Sequence, residues 1–596
     1  MRRDRANRER ASNICIEPSY TKLRSKKRKE RNSWPCSLIY NFYILATLFQ
    51  ADAMTDLPGD PRRLYIFSLF EVLFICILAA VPLFTTFPYR VNIFLSWEGA
   101  YRLSQGQIPY RDFGMPMGYM YWVIPAIFFK IFGAQLITLV KAQVFINILS
   151  GLAFRSILKS LGVHPGIRLL SVVLYGVSYS FFNFWPWYNH TVIVYEMIGL
   201  AFLMRYIFSN TRPWILLSLS ALFIFFSFFT KQDGGGLAFF LSLALLAYVA
   251  ITEKKWKALL IYFASFCIAA FAIISPLTRY NFGYWFNHGQ PPHTARLSPF
   301  DIVDEFFISS SWIKFYLLMV VLLSIAHFRK WKELLTKKRS AIFLILTLGI
   351  LAEAAILQVT SYTPPDNNIF FHSFAFAFIL SMLAGFLPVQ FSRPRILLIS
   401  GCFMLLWWSS VYWKYFQRLT QKVLEPAATS SANGENIVNR HTYIISNDTT
   451  EIPMSQWTFT GLKSFNKIYL PQPTVDGIHR LMKMHGIKNN PSLRVLNMSE
   501  LTPLAVEIPY KTETGPGIPL WYHLGVAMFN QQAEMYEQRI GRHDYDLVLF
   551  EYIPSLNNFY PFRVRAALMQ HYNKVDSFFA PRRGDTKGVI EVYRKP

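Results

Sequence analysis

The residues best able to do chemistry fall in one segment near the start of the chain, from Ser96-Trp97-Glu98-Gly99 to Met120-Tyr121-Trp122. A carboxylate such as Glu98, if it lies beside a membrane, can take a proton from a hydroxyl held within hydrogen-bond reach, or it can merely meet water. Asp112 follows Arg111 in the turn Gly106-Gln107-Ile108-Pro109-Tyr110-Arg111-Asp112-Phe113. It is either a second acid or half of an ion pair that fixes the turn. Further along, Lys231-Gln232-Asp233 runs into Gly234-Gly235-Gly236. The glycines permit close backbone approach and the lysine brings a mobile charge, which suits a phosphate headgroup; a helix cap with a snorkelling lysine reads the same way. Trp185-Pro186-Trp187-Tyr188-Asn189-His190, with Glu196 beyond it, offers rings for stacking on a sugar and polar contacts. Such aromatics also commonly form a membrane belt. His288, His293, Asp366 and His372 are metal-ligand types, but their spacing matches no zinc motif, so a divalent metal stays possible without a ligand set. Asp544-Tyr545-Asp546 reads as the approach to a strand.

Long apolar segments must position these residues. Of 596 residues, 53% are hydrophobic, 17% aromatic and only 16% charged, and the mean hydropathy is +0.25, which calls for a membrane as solvent. The net charge of +25 does not imply nucleic acid, because twelve basic residues precede Trp34 and most of the others flank apolar segments. The five cysteines form no disulfide framework. Segments at 65–87, 135–158, 166–184, 190–208, 212–229, 235–252, 256–277, 311–328, 340–360, 369–390 and 394–413 each approach the ~20 residues that cross a bilayer. The expected fold class is therefore a polytopic α-helical membrane protein of about eleven spans.

Orientation follows from lysine and arginine. The apolar stretch 118–133, which holds Pro125 and Lys130, is read as interfacial; Arg155, Lys159, Arg168, Arg205, Arg212, Lys254, Lys255, Lys257, 329–339, Arg393 and Arg395 then share the cytoplasmic side with Arg62 and Arg63. Loops 88–134, 185–190, 230–236, 278–310 and 361–369 and the tail face outward. Trp407, Trp408, Tyr412 and Trp413 are expected to form an aromatic belt, Glu71 to snorkel, and Glu353 to line a cavity. The expected domains are a basic extension over 1–60, with Met54 favoured as the start, a transmembrane domain over 61–416, and a C-terminal soluble α/β domain over 417–596. Strands are expected at 442–446, 494–496, 547–552 and 589–593, and helices near 475–484 and 526–539.

The acidic residue beyond the first helix, the Gly-x-x-Pro-Tyr-Arg-Asp-Phe turn (106–113), the proline leading an aromatic interfacial helix and the Phe132-Gly133 stop resemble membrane glycosyltransferases of the GT-C superfamily. The likeness is to the protein O-mannosyltransferase and aminoarabinose-transferase branch and is densest over residues 60–235. It implies a polyprenyl-phosphate sugar donor, a glycan, lipid or protein acceptor, membrane lipids as surroundings, and transfer with inversion on the outer face, in a bacterial inner membrane. The catalytic positions would be Glu98, as base, and Asp112; Arg111, Lys231, Asp233, Arg296, His190 and Tyr121 would bind substrate. Two departures stand out: Trp97-Glu98 replaces an acidic pair, and Met115 stands where relatives often carry the lysine that holds the donor phosphate. Arg111, Lys231, Arg279 and Arg296 are the cations available instead. The rival function is a lipid-linked glycan flippase, which would place charges and broken helices at mid-membrane.

Overall fold

In this computed structural model the described residues run from 61 to 596, apart from 90–92, 178–183, 210–211, 287–298, 329, 361–368, 388, 411, 414–451, 453–455, 488–489, 491, 521, 523–527, 554–559 and 582–587. The basic extension, the expected strand at 442–446, and His288, His293, Arg296 and Asp366 lie outside the described residues.

The apolar segments fold as helices: α1 (Pro61–Phe84), α2 (Ile93–Ser104), α3 (Met120–Phe132), α4 (Leu136–Ser160), α5 (Pro165–Gly176), α6 (Tyr188–Phe208), α7 (Pro213–Phe228), α8 (Gln232–Glu253), α9 (Trp256–Ile274), α10 (Pro299–Ser309), α11 (Ser311–His327), α12 (Trp331–Thr336), α13 (Lys338–Thr360), α14 (Ile369–Phe386) and α15 (Pro394–Trp407). Each of the eleven segments expected to span overlaps one of these helices. Among the described residues, however, only α1, α4, α6, α8, α9 and α13 are long and apolar enough to cross a bilayer, and the pair α10–α11, bent by 88°, would make a seventh. The interfacial candidate is the 13-residue α3, among the shorter apolar helices.

Burial separates the spans into inner and outer ones. In α4 and α6, 78% of the most apolar window is buried against protein, whereas α1 and α9 bury 17% and 11%. Leu69, Phe70 and Leu73 on α1 and Leu260, Ile268 and Phe271 on α9 are bare. Two helices apolar around their circumference with so little protein cover require hydrocarbon beside them, so this is a multi-pass membrane protein.

Glu71 corrects one expectation. It does not snorkel: its carboxylate is fully buried and accepts from Arg155 Nε at 2.7 Å and Arg168 Nε at 2.8 Å, tying α1 to α4 and α5. A buried carboxylate cannot reach headgroup water, and two guanidinium groups replace that water. Arg155 and Arg168 are therefore interior partners before they are topology signals. Trp408 likewise departs from the expected belt. It is buried, donating from Nε1 to Tyr316 Oη at 2.6 Å and stacking on Tyr316 at 6.3 Å, while Trp407 is exposed as a belt residue would be. Glu353, expected toward a cavity, is buried and interacts with Glu196.

Besides the helices the described residues form two sheets with β1 (Phe87–Pro88), β2 (Trp457–Phe459), β3 (Ile468–Pro471), β4 (Val495–Met498), β5 (Leu547–Tyr552), β6 (Asn573–Phe579) and β7 (Val589–Arg594). The four-stranded sheet has the order β4-β5-β7-β6, with β4 and β5 parallel and the rest antiparallel. Helices α16 (Gln472–Lys483), α17 (Leu504–Glu507), α18 (Phe529–Gly541) and α19 (Phe562–His571) complete this region.

Strand periodicity explains why β5 is apolar throughout. Alternate side chains leave opposite faces. Val548 and Phe550, with Leu496 and Tyr593, pack under α18 and α19. Leu547 and Leu549, with Val495, Ile590 and Val592, belong to the core that holds Trp97, Tyr110, Phe113 and Trp122. The sheet therefore roofs the segment between α1 and α4.

Backbone contacts seal the roof. β1, directly after α1, pairs in parallel with β3, and Lys467 Nζ donates to Leu83 O at 2.5 Å. Gly114 N donates to Ile518 O at 2.7 Å and Leu520 N to Gly114 O at 3.0 Å; Gly515 N donates to Asp112 O at 2.8 Å. A Cβ at Gly114 would stand 2.3 Å from the Tyr284 ring, so this clasp depends on glycine.

Candidate functional site

Glu98 lies on a helix, not on the open loop that the sequence suggests. α2 places Glu98 one turn before Arg102, and Glu98 Oε1 accepts from Arg102 Nε at 2.9 Å and Nη2 at 2.8 Å. Arg102 Nη1 also donates to Gln107 Oε1 at 3.0 Å and to the Glu513 carbonyl at 2.6 Å. One guanidinium thus spans α2, the following turn and the roof.

Helix α2 is held by its small residue. Gly99 faces Trp122 of α3 so closely that a Cβ would lie 2.1 Å from the indole, and Trp122 Nε1 donates to Leu95 O at 3.0 Å. With that face fixed against α3, Glu98 and Arg102 line a small pocket of about 40 Å³ walled by Asn497, Tyr510, Thr512, Glu513 and Tyr522 from the roof. Such a volume holds a few waters or a hydroxyl group. Burial pushes the Glu98 carboxyl above the ordinary glutamate range, while the charge and hydrogen bonds of Arg102 pull it back part of the way. A partly buried carboxylate held by one cation and facing a hydroxyl-sized space is equipped to take a proton.

Asp112 has a different setting. Its Oδ2 accepts from Ile108 N at 2.7 Å and Arg111 Nη2 at 2.7 Å, and its Oδ1 accepts from Arg111 Nε at 3.0 Å. Arg111 holds the Asp112 carboxyl below its ordinary range. These contacts secure the turn, in which Tyr110 adopts a φ of 66°, and they match the ion-pair alternative for this residue. Arg111 itself is exposed at the surface of that turn.

A second cluster gathers residues from three places in the chain. Lys231 Nζ lies 3.0 Å from Asp233 Oδ2 and 5.9 Å from the centroid of the Tyr188 ring; Tyr121 packs edge-on against Tyr188 at 6.0 Å. Asp233 Oδ1 accepts from Gly234 N at 2.8 Å, so the start of α8 is capped from within. Close backbone packing sets this corner: a Cβ at Gly235 would stand 2.1 Å from Phe228 backbone, and one at Gly118 would stand 1.5 Å from Phe229 O. Only glycines let α3 and α8 meet at the end of α7.

The structure thus brings Lys231, Asp233 and Tyr121 together, and pairs Arg111 with Asp112, and Glu98 with Arg102. His190 is buried in the first turn of α6, two residues after Tyr188. α3 connects the two clusters, since its neighbours Tyr121 and Trp122 face Tyr188 and α2 respectively. Among the described residues no group of three or more His, Cys, Asp or Glu could hold a metal ion.

Sequence reasoning assigned no role to Arg102, Gln107, Tyr510 or Glu513. The four-residue spacing of Glu98 and Arg102 carries a signal for a helical ion pair. The roof residues carry none, being over 400 positions away from their partners, as the Arg102 to Glu513 contact shows with a separation of 411.

These elements define a multi-pass helical membrane protein with an α/β region closed over its first inter-helix segment. No protein-family model matches the chain, and no curated protein sequence matches it. Two crystal structures of ArnT from Cupriavidus metallidurans are similar to it. The one bound to undecaprenyl phosphate has 11% identity and a TM-score of 0.41, covering 89% of this chain and 97% of that one. The apo structure has 11% identity and a TM-score of 0.44, covering 88% and 98%.

Proposed function

We propose that this protein is an inverting GT-C-type glycosyltransferase that moves a sugar from a polyprenyl-phosphate carrier to an acceptor hydroxyl on the outer face of the membrane. The observation that carries this reading is the partly buried Glu98 carboxylate, held by Arg102 at the wall of a hydroxyl-sized pocket. Glu98 takes the acceptor proton, the acceptor oxygen bonds to the anomeric carbon, and the bond from that carbon to the phosphate oxygen breaks with its electron pair leaving on the phosphate. A base opposite the leaving group gives inversion. Lys231 beside Tyr188 is the cation assigned to the departing phosphate, with Tyr121 and Asp233 shaping its surroundings; Arg111 and Arg296 are the reserve cations. Lysine clusters at the far helix ends, among them Lys255 and Lys338 on Glu253, support a cytoplasmic assignment for those ends and an outward one for the roof.

The buried acids Glu196 and Glu353 favour a lipid-linked glycan flippase as the second reading. Assay of the purified chain against a panel of polyprenyl-phosphate-linked sugars separates the two. Transfer releases polyprenyl phosphate, whereas a flippase moves the intact donor between leaflets and releases none.

A further inference from the structure

Beside the Glu98 pocket lies a wider groove of about 680 Å³ between the end of α2 and residues 505–514 of the roof. The two share Tyr510 and Thr512, so these side chains stand between the groove and the Glu98 pocket. Gln107 belongs to the same partition: its Nε2 donates to Thr512 Oγ1 at 2.7 Å, and its Oε1 accepts from Arg102, the partner of Glu98. We infer that this groove binds the acceptor and that the acceptor is a carbohydrate, one hydroxyl of which takes the place of the Gln107–Thr512 contact to reach Glu98; the inference rests on the transferase reading for its catalytic meaning.

Three features select a carbohydrate. The volume falls within the range of small-ligand sites and accommodates a few sugar rings. Its lining combines phenol rings, Tyr101 and Tyr510, with the amides of Gln105 and Gln107 and the hydroxyls of Thr512 and Thr514. Rings cover the apolar faces of a pyranose, while amides and hydroxyls pair with its hydroxyl edge. Tyr101 is itself stacked on Trp97 at 4.6 Å, so one platform is rigid. A peptide acceptor fits less well, because no strand residue lines the groove and an extended chain would find no sheet edge to pair with.

Binding tests the groove independently of turnover. The probe is a glycan array read with the labelled full-length chain in nanodiscs, beside a serine- and threonine-rich peptide set on the same surface. Wild type is expected to bind glycans in preference to peptides. Thr514→Trp, at the exposed rim, is expected to weaken glycan binding by about tenfold or more with an unchanged melting temperature. Gln107→Ala should weaken it as well. Absence of wild-type glycan binding, preference for the peptides, or full glycan binding by Thr514→Trp would each overturn the inference. Release of polyprenyl phosphate by wild type is measured alongside. Glycan binding through the groove without release leaves the carbohydrate site standing and removes the transferase reading; release without glycan binding does the reverse.

Discussion

At the scale of the residue, the arrangement of Glu98 and Arg102 fixes a pH dependence. Desolvation raises the Glu98 carboxyl and Arg102 lowers it. A step that needs ionised Glu98 should therefore gain rate as pH rises through a midpoint above the ordinary glutamate value. Arg102→Gln removes the lowering contribution, so the acid limb of the pH–rate profile should move to still higher pH. A limb that stayed in place, or moved down, would show that Glu98 does not set it. Glu98 was singled out in the sequence as the acidic residue beyond the first helix, at the position where the resemblance to membrane glycosyltransferases puts a carboxylate. Its charge partner Arg102 was hidden by reading the segment as a loop, where a spacing of four has no meaning. Lys231, Asp233 and Tyr121 were chosen separately from cation, glycine and aromatic content, and the fold places them together around Tyr188. Asp112 was visible both as a candidate acid and as the turn-fixing partner of Arg111; the hydrogen bond it accepts from Ile108 N appears only in three dimensions.

At the scale of the element, α3 carries most of the arrangement, because it touches α2 through Trp122 and the Lys231 corner through Tyr121. Its start is seated by Gly118 on the Phe229 carbonyl, a contact with no space for a methyl group. Gly118→Ala should shift α3 or the end of α7 and cost ~1–3 kcal/mol, as overpacking typically does. A lowered melting temperature of the purified protein is the expected result; an unchanged one would show that α3 is free to move. Apolar length made the helices readable, and apolar runs marked β5 and β7 closely. The segments 547–552 and 589–593 coincide with Leu547–Tyr552 and lie within Val589–Arg594. β6 escaped because its residues are largely exposed and polar, and β1 because two residues acquire strand geometry only by pairing with β3. α2 was missed because its buried face meets other protein, so Ser96, Gly99 and Arg102 sit inside where an amphipathic pattern would place apolar residues.

At the scale of the whole molecule, inner helices such as α4 and α6 and outer helices such as α1 and α9 belong to the membrane part, with the roof packed on its first inter-helix segment. Composition announced the membrane. It could not announce that Arg155 and Arg168 are spent on Glu71 inside the protein, since a charge near a helix end reads alike whether it faces headgroups or a buried partner. The sidedness of the roof has a direct check in a background lacking the native cysteines. An impermeant thiol reagent should label Lys511→Cys and spare Lys255→Cys in cells whose outer face is accessible, both native side chains being exposed. Labelling of Lys255→Cys alone would invert the orientation.

The central claim is that Glu98 is the base in glycosyl transfer, and a single-turnover comparison of wild type with Glu98→Gln tests it most directly. Glutamine keeps the reach of the side chain and its hydrogen bond to Arg102 but cannot accept the acceptor proton. The variant should release polyprenyl phosphate ~10²–10⁴-fold more slowly while binding the lipid-linked donor as wild type does. Release at the wild-type rate, with donor binding intact, would contradict the assignment.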